Sequence, residues 1–373
     1  MKNFLFIVIL IISQSFSSII KLPYNLNENY ITIEIIIGTP GVTIRSPFNT
    51  ILPFTWFIPS FYSPKSSSTS TYKVTNNGIV LDEVIYQMQK YEDIITFNEE
   101  IKIQNFNFFI VSPKSYHNSE QGYGFSFKFA NENHSIIHSL YNNKLIEKKV
   151  FSIVTYNNKV DEGTILFGGV PDGISNLYSN KGKCHINEKE ITWSCNITEI
   201  AIGKETYSLN LYTYFHSASL ITINSKIVYD LIYKQFDKDI CSARQFGHLM
   251  YLECPTKDTY KLNNIKLTFD TLYIEIPLSK LFTCYPDHCT SNFIYNLMKS
   301  DELFELGVYF IKLFNITVFD YDSKTISFYS EQFYITETPV QVSFKVKLIL
   351  YVITFISLLT SLYIIYIKIK VIE

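Results

Sequence analysis

The chain of 373 residues has almost no excess of either charge: 32 Lys and Arg stand against 34 Asp and Glu. No basic block stands out, and a surface that binds nucleic acid needs one to neutralise phosphates. No long linker separates independent modules. Cysteine is absent outside one stretch: all six, Cys184, Cys195, Cys241, Cys254, Cys284 and Cys289, lie between residues 184 and 289. Cys284-Tyr285-Pro286-Asp287-His288-Cys289 gathers possible metal ligands, but the spacing matches no strong zinc pattern, so neither a metal nor a cofactor is expected.

An uncharged run lies near each end. Phe4 to Ile12 is an apolar run behind Lys2, followed by Ser15, Ser17 and Ser18. A positive start, a short apolar core and small residues describe a secretory signal peptide over 1–18. Leu348 to Ile367 holds 20 residues without a charge, flanked by Lys345, Lys347, Lys368 and Lys370. At 1.5 Å per residue a helix of that length rises about 30 Å, the thickness of a hydrocarbon core. The expectation is a transmembrane helix over 345–367 with a short cytoplasmic tail, 368–373. The signal peptide sets the orientation: a single-pass type I protein of the secretory pathway, in the plasma membrane or an internal vesicle membrane.

An exported chain with an even cysteine count points to disulfides. Cys184 with Cys195 would staple one hairpin, while six cysteines alone allow 15 connectivities. Asn133, Asn196 and Asn315 each open a glycosylation sequon. The body between the ends is dominated by short β-branched and aromatic runs separated by Gly, Asn, Pro and Asp. Strands are expected at Ile31 to Ile37, Ile101 to Val111, Phe151 to Tyr156, Thr164 to Phe167, Ile265 to Phe269 and Ile316 to Phe319. Helices are expected at Ser135 to Asn142, at Lys226 to Phe236 capped by Ser225, and at Asn292 to Lys299. Asp320 to Lys324 reads as a hairpin turn rather than a calcium loop, and Trp56 and Trp193 read foremost as packing residues. Many strands with few helices make an all-β body.

Motifs recur in order along this body. Ile35-Ile36-Ile37-Gly38-Thr39-Pro40 precedes Trp56-Phe57-Ile58-Pro59-Ser60 and Ser66-Ser67-Ser68-Thr69. Gly122-Tyr123-Gly124-Phe125, Phe151-Ser152 and Ile165-Leu166-Phe167-Gly168-Gly169 follow, then Leu306-Gly307 and Thr317-Val318-Phe319-Asp320. In order and spacing the chain resembles the pepsin-like aspartic proteases from Tyr30 to Tyr334. The resemblance implies an all-β, bilobal fold with a central peptide cleft and few short helices. Its lobes would span 19–180 and 181–337, with the boundary inside Gly173 to Glu190. It also implies a disulfide between Cys254 and Cys284. Each lobe of that family supplies one aspartate, and the two share a proton and activate a water beneath a hairpin flap.

The catalytic parts depart from that pattern. Asn49 stands for the first aspartate and Ile51 for the glycine two residues on. His216 stands for the second, followed by the small residues Ser217, Ala218 and Ser219. Asparagine cannot accept a proton from water near neutral pH. Histidine can, but no acid partner for it is evident, and no nucleophile elbow supports a Ser–His pair with Ser217 or Ser219. The flap tyrosine position is Tyr86, followed by Gln87 to Lys90 without a glycine, and Val308 stands for a second aspartate near the site. Should a catalytic acid survive, Asp230, Asp237 and Asp239 are candidates by presence alone, on or just after the expected helix. The expectation is a membrane-anchored pseudoprotease without catalytic residues, whose cleft binds an extended peptide or an extracellular protein. Tyr86, Met88, Trp56 and Phe125 are its expected groove contacts. The alternatives are an atypical aspartic endopeptidase and a purely structural surface protein.

Overall fold

The computed structural model describes residues 19–27, 30–50, 55–57, 59–60, 62–81, 84–97, 101–111, 125–126, 135–156, 162–170, 173–187, 192–217, 223–235, 241–255, 263–298, 304–337, 357 and 360. The expected signal peptide, Asn133, Asp237, Asp239, and all of the expected transmembrane helix but Ser357 and Thr360 lie outside them. No helix among the described residues is long and apolar enough to cross a membrane. The chain divides into one unit over Met1–Glu337 and another over Thr338–Glu373.

Strands dominate the first unit. The first eleven are β1 (Ile20–Asn27), β2 (Tyr30–Ile37), β3 (Val42–Asn49), β4 (Trp56–Phe57), β5 (Thr71–Leu81), β6 (Val84–Phe97), β7 (Ile101–Val111), β8 (Phe125–Ser126), β9 (Val150–Thr155), β10 (Glu162–Phe167) and β11 (Asn180–His185). There follow β12 (Ser194–Ile202), β13 (Glu205–His216), β14 (Ile223–Asn224), β15 (Ser242–Phe246), β16 (Leu249–Pro255), β17 (Asn264–Phe269), β18 (Leu272–Pro277), β19 (Phe282–Cys284), β20 (His288–Ser291), β21 (Phe293–Asn296) and β22 (Phe304–Gly307). The last are β23 (Ile316–Asp320), β24 (Thr325–Ser330) and β25 (Tyr334–Glu337). Four short α-helices accompany them among the described residues: α1 (Ile136–Asn142), α2 (Ile174–Leu177), α3 (Lys226–Gln235) and α4 (Val308–Ile311).

The strands form two sheets, and the fold is bilobal and mostly β. One sheet has 13 strands in the order β11-β24-β23-β9-β10-β1-β2-β6-β7-β4, with β3, β5 and β8 paired at its side. The other has 12, in the order β19-β20-β16-β21-β14-β22-β13-β12-β17-β18-β25, with β15 against β16. The first sheet therefore takes strands from both ends of the body, because β23 pairs with β9 and β24 with β11.

Period-two patterning explains why these segments are strands. In β18, Leu272, Ile274 and Ile276 point inward and are fully buried while Tyr273, Glu275 and Pro277 are half-buried. Aromatic rings weld the first sheet's centre: Phe151 stacks on Phe319 at 4.6 Å, and Trp193 meets Phe319 at 5.1 Å and Tyr321 at 4.7 Å. Each such ring, fully buried, contributes about 1.5–3 kcal/mol. Glycine serves one close approach here: opposite Tyr24, a side chain at Gly163 would lie 2.4 Å from the tyrosine ring.

The turn at Gly38 is held by a buried carboxylate. Gly38 has φ +79°, and its amide donates to Ile94 O at 2.9 Å. Next to Ile94, Asp93 accepts hydrogen bonds from the Tyr62 hydroxyl and from Thr69 Oγ1, the latter at 2.6 Å. Burial, and then the bond to Asp93, push the Tyr62 hydroxyl up, so it stays protonated and donates. The Ser66–Thr69 segment is thereby pinned to β6.

Two sequence expectations are corrected. Asn292 to Lys299 is not a helix: Phe293–Asn296 is β21, which pairs with β14 and β16. A short apolar run cannot choose between helix and strand by periodicity, and here the neighbouring strands choose. Cys254 is not joined to Cys284. The disulfides are Cys184–Cys195, Cys241–Cys254 and Cys284–Cys289. Cys284 faces Cys289 directly across the β19–β20 hairpin, so the nearest partner takes the bond. The helices at Ile136–Asn142 and Lys226–Gln235 and the Asp320–Lys324 turn stand where the sequence puts them. Ser225 Oγ accepts the Val228 amide at the start of α3, at 3.5 Å.

Candidate functional site

β3 and β13 end in matching ways. Each is the second strand of an antiparallel hairpin, β2–β3 and β12–β13. Each ends beside a short parallel strand: Phe48 and Asn49 lie opposite Phe125 and Ser126, and Phe215 and His216 lie opposite Leu306 and Gly307. Phe48 and Phe215 are both fully buried, which fixes each strand's register, because a slip of one residue would turn the apolar side chain outward.

The two ends interlock through the residues that follow. Thr50 Oγ1 accepts the Ser217 amide at 3.1 Å and donates to Phe215 O at 2.5 Å. Ser217 Oγ accepts the Thr50 amide at 3.1 Å and donates to Phe48 O at 2.7 Å. Both hydroxyls are fully buried. The arrangement is two-fold symmetric in its bonding: position 50 does to 215–217 what position 217 does to 48–50. Asn49 and His216 thus hold equivalent places, one residue before each interlocking hydroxyl. Ser217 has no free hydroxyl for a Ser–His pair, since its proton goes to Phe48 O. Ser219 and Ile51 lie outside the described residues.

His216 has an acid partner that the sequence did not reveal. Its Nδ1 lies 2.5 Å from Glu305 Oε1, and Asn224 Nδ2 donates to Glu305 Oε2 at 3.3 Å. The pairing register explains the meeting: Glu305 on β22 lies opposite Tyr214 on β13 and opposite Asn224 on β14. The Glu305 side chain is 5% exposed and that of His216 is 18% exposed. A buried carboxylate is costly unless it is hydrogen-bonded, and both of its oxygens are. Asn49, 2% exposed, is more deeply enclosed than His216. No cluster of side chains suited to a metal occurs among the described residues.

The other expected site residues fall elsewhere. Trp56 and Met88 are 1% and 0% exposed, so they pack within the first lobe and are not groove contacts. A large apolar side chain gains more from full burial than from a wet groove. Tyr86 sits on β6 opposite Ile79 of β5, in the hairpin at the expected flap position. The side chains of Tyr86 and Phe125 are outside the description. Val308 is fully buried at the start of α4. Asp230 pairs with Lys226 at 2.8 Å along α3, beside an open groove of about 450 Å³ also lined by Leu209, Leu211 and Ile227. Asn196 is half-buried, and its amide donates to Asn210 and Asp270. Asn315 is buried, and its Oδ1 accepts the Glu331 amide.

Comparison with known proteins agrees with this geometry. The model of the eukaryotic aspartyl protease family matches residues 58–330. The chain belongs to that family. The match includes His216 and begins after Asn49. Among solved structures, the aspartic proteinase from Irpex lacteus is similar, with a TM-score of 0.67 over 87% of this chain and 99% of that one, at 14% identity. That likeness carries the fold alone. No curated protein sequence matches.

Proposed function

We propose that this aspartyl protease homologue is a pseudoprotease: an exported, membrane-anchored protein whose inter-lobe cleft binds an extended peptide or protein segment without cutting it. One observation carries the reading. The two positions that flank the Thr50–Ser217 interlock hold Asn49 and His216, neither of them a carboxylate. Aspartic proteolysis needs two carboxyl groups close enough to share one proton. An amide and an imidazole at those places share no proton in that way. Among the described residues, Glu305 is hydrogen-bonded to His216 and Asn224. The groove depends on the two sheets, which do not need the missing acids. The signal peptide over 1–18 and the apolar run over 345–367 would place the body outside the membrane, in a secretory-pathway compartment or at the cell surface.

The test is cleavage of a randomised peptide library by the full chain in detergent micelles, from pH 3 to 8, with and without a pepsin-type inhibitor. The expected result is no inhibitor-sensitive cleavage at any pH. Cleavage that the inhibitor abolishes would mean that an acid pair exists, and would restore the endopeptidase reading.

A further inference from the structure

We infer that His216 is the polar contact of the cleft floor, held by Glu305 through one ring nitrogen so that the other takes a backbone amide of a bound peptide. The inference rests on the cleft-binding reading above and assigns it a residue and a chemistry.

A lone histidine in a β interior is most often a packing residue. Three observations set this one apart. First, it is anchored by one edge only: Nδ1 meets Glu305 at 2.5 Å, and Nε2, across the ring, has no hydrogen-bond partner among the described residues. Second, the anchor is itself anchored, because Asn224 donates to the second oxygen of Glu305 and that carboxylate is 5% exposed. A carboxylate bound to one imidazole nitrogen fixes the ring's orientation and leaves the other nitrogen as the working atom. Third, the His216 side chain keeps 18% of its surface open although its neighbours Phe215 and Ser217 are fully buried. A merely structural histidine would be expected to spend both nitrogens inside the fold.

The chemistry of the ligand follows from the ring. With Nδ1 committed to Glu305, a neutral His216 accepts at Nε2 and a protonated one donates there. A peptide backbone offers both an N–H and a C=O within one residue, so it fits either state. A purely apolar ligand would leave Nε2 buried and unpaired, at a loss in affinity.

Two isosteric changes separate this role from a structural one. In His216→Asn the amide nitrogen can still donate to Glu305, but nothing remains at the place of Nε2. In His216→Gln a polar group reaches toward that place. Peptides are selected from a randomised phage-displayed library on the full chain in micelles, the best is synthesised, and its Kd is measured for each variant with thermal melting alongside. The expected result is that His216→Asn melts near the wild-type temperature yet binds roughly tenfold more weakly, one hydrogen bond's worth. His216→Gln, where folded, binds within about threefold of wild type. His216→Asn decides alone if the other variant does not fold. Undiminished binding by folded His216→Asn overturns this inference and leaves the cleft reading standing. Enrichment of no peptide overturns the cleft reading and this one with it.

Discussion

Thr50 and Ser217 show how much a pair of hydroxyls can hold. Each satisfies one amide and one carbonyl of the opposite strand end, and all four groups are out of reach of water. Thr50→Val is nearly the same shape but strands the Ser217 amide and Phe215 O. An unsatisfied buried polar group costs about 1–3 kcal/mol, so a loss of about 2 kcal/mol is expected in urea unfolding. Thr50→Ser keeps the hydroxyl and should cost about 1 kcal/mol or less, the worth of one buried methyl. Equal losses for the two variants would mean that the bonds contribute nothing beyond packing. The sequence suggested the places of Asn49 and His216 because an apolar strand precedes each, though small residues follow only His216. Glu305 was not. It lies 89 positions from His216, and although the resemblance puts Val308 near the site, it does not say that the Glu305 side chain three residues earlier turns to His216. A pair made by sheet register has no local trace.

Among the elements, the strands whose limits were legible are those with uninterrupted β-branched or aromatic character between turn residues. Ile101–Val111 has the same limits in the sequence and in the fold. β21 was misread as helix because Phe293 to Met298 is short and apolar, and its partners, Ile223 and Leu249, lie far away in sequence. The cysteines follow the same logic. β16, β19 and β20 bring Cys254, Cys284 and Cys289 onto adjoining strands, where Cys254 lies opposite Cys289 and Cys289 opposite Cys284. Family resemblance suggested Cys254 with Cys284, which sit on strands either side of β20. Cys241, fully buried just ahead of β15, instead takes Cys254. Non-reducing digestion and mass spectrometry of the protein should therefore release a Cys241–Cys254 peptide pair and keep Cys284–Cys289 as a closed loop. A Cys254–Cys284 cross-linked peptide would overturn this assignment.

For the whole molecule, the body and the apolar run behind it make different demands on their surroundings. Among its described residues the body packs a large apolar core into its own two sheets, while Phe246 and Met298 stand mostly exposed. Leu348 to Ile367 has no such outlet. Its 20 uncharged residues, largely Leu, Ile, Tyr, Val and Phe, have no polar face to turn to water, and no second apolar layer lies near them in sequence to cover them. In a bilayer the same residues are matched in length and chemistry, and their hydroxyls can bond to the helix's own carbonyls. Membrane association should then depend on that run alone. The expressed full chain should stay with membranes through alkaline carbonate washing, and a chain ended after Glu337 should be released as folded protein into the medium. Protease added to intact cells or sealed vesicles should tell which side the body faces. A truncated chain that stays in the membrane pellet, or a full chain washed free by carbonate, would sink the anchor and with it the proposed topology.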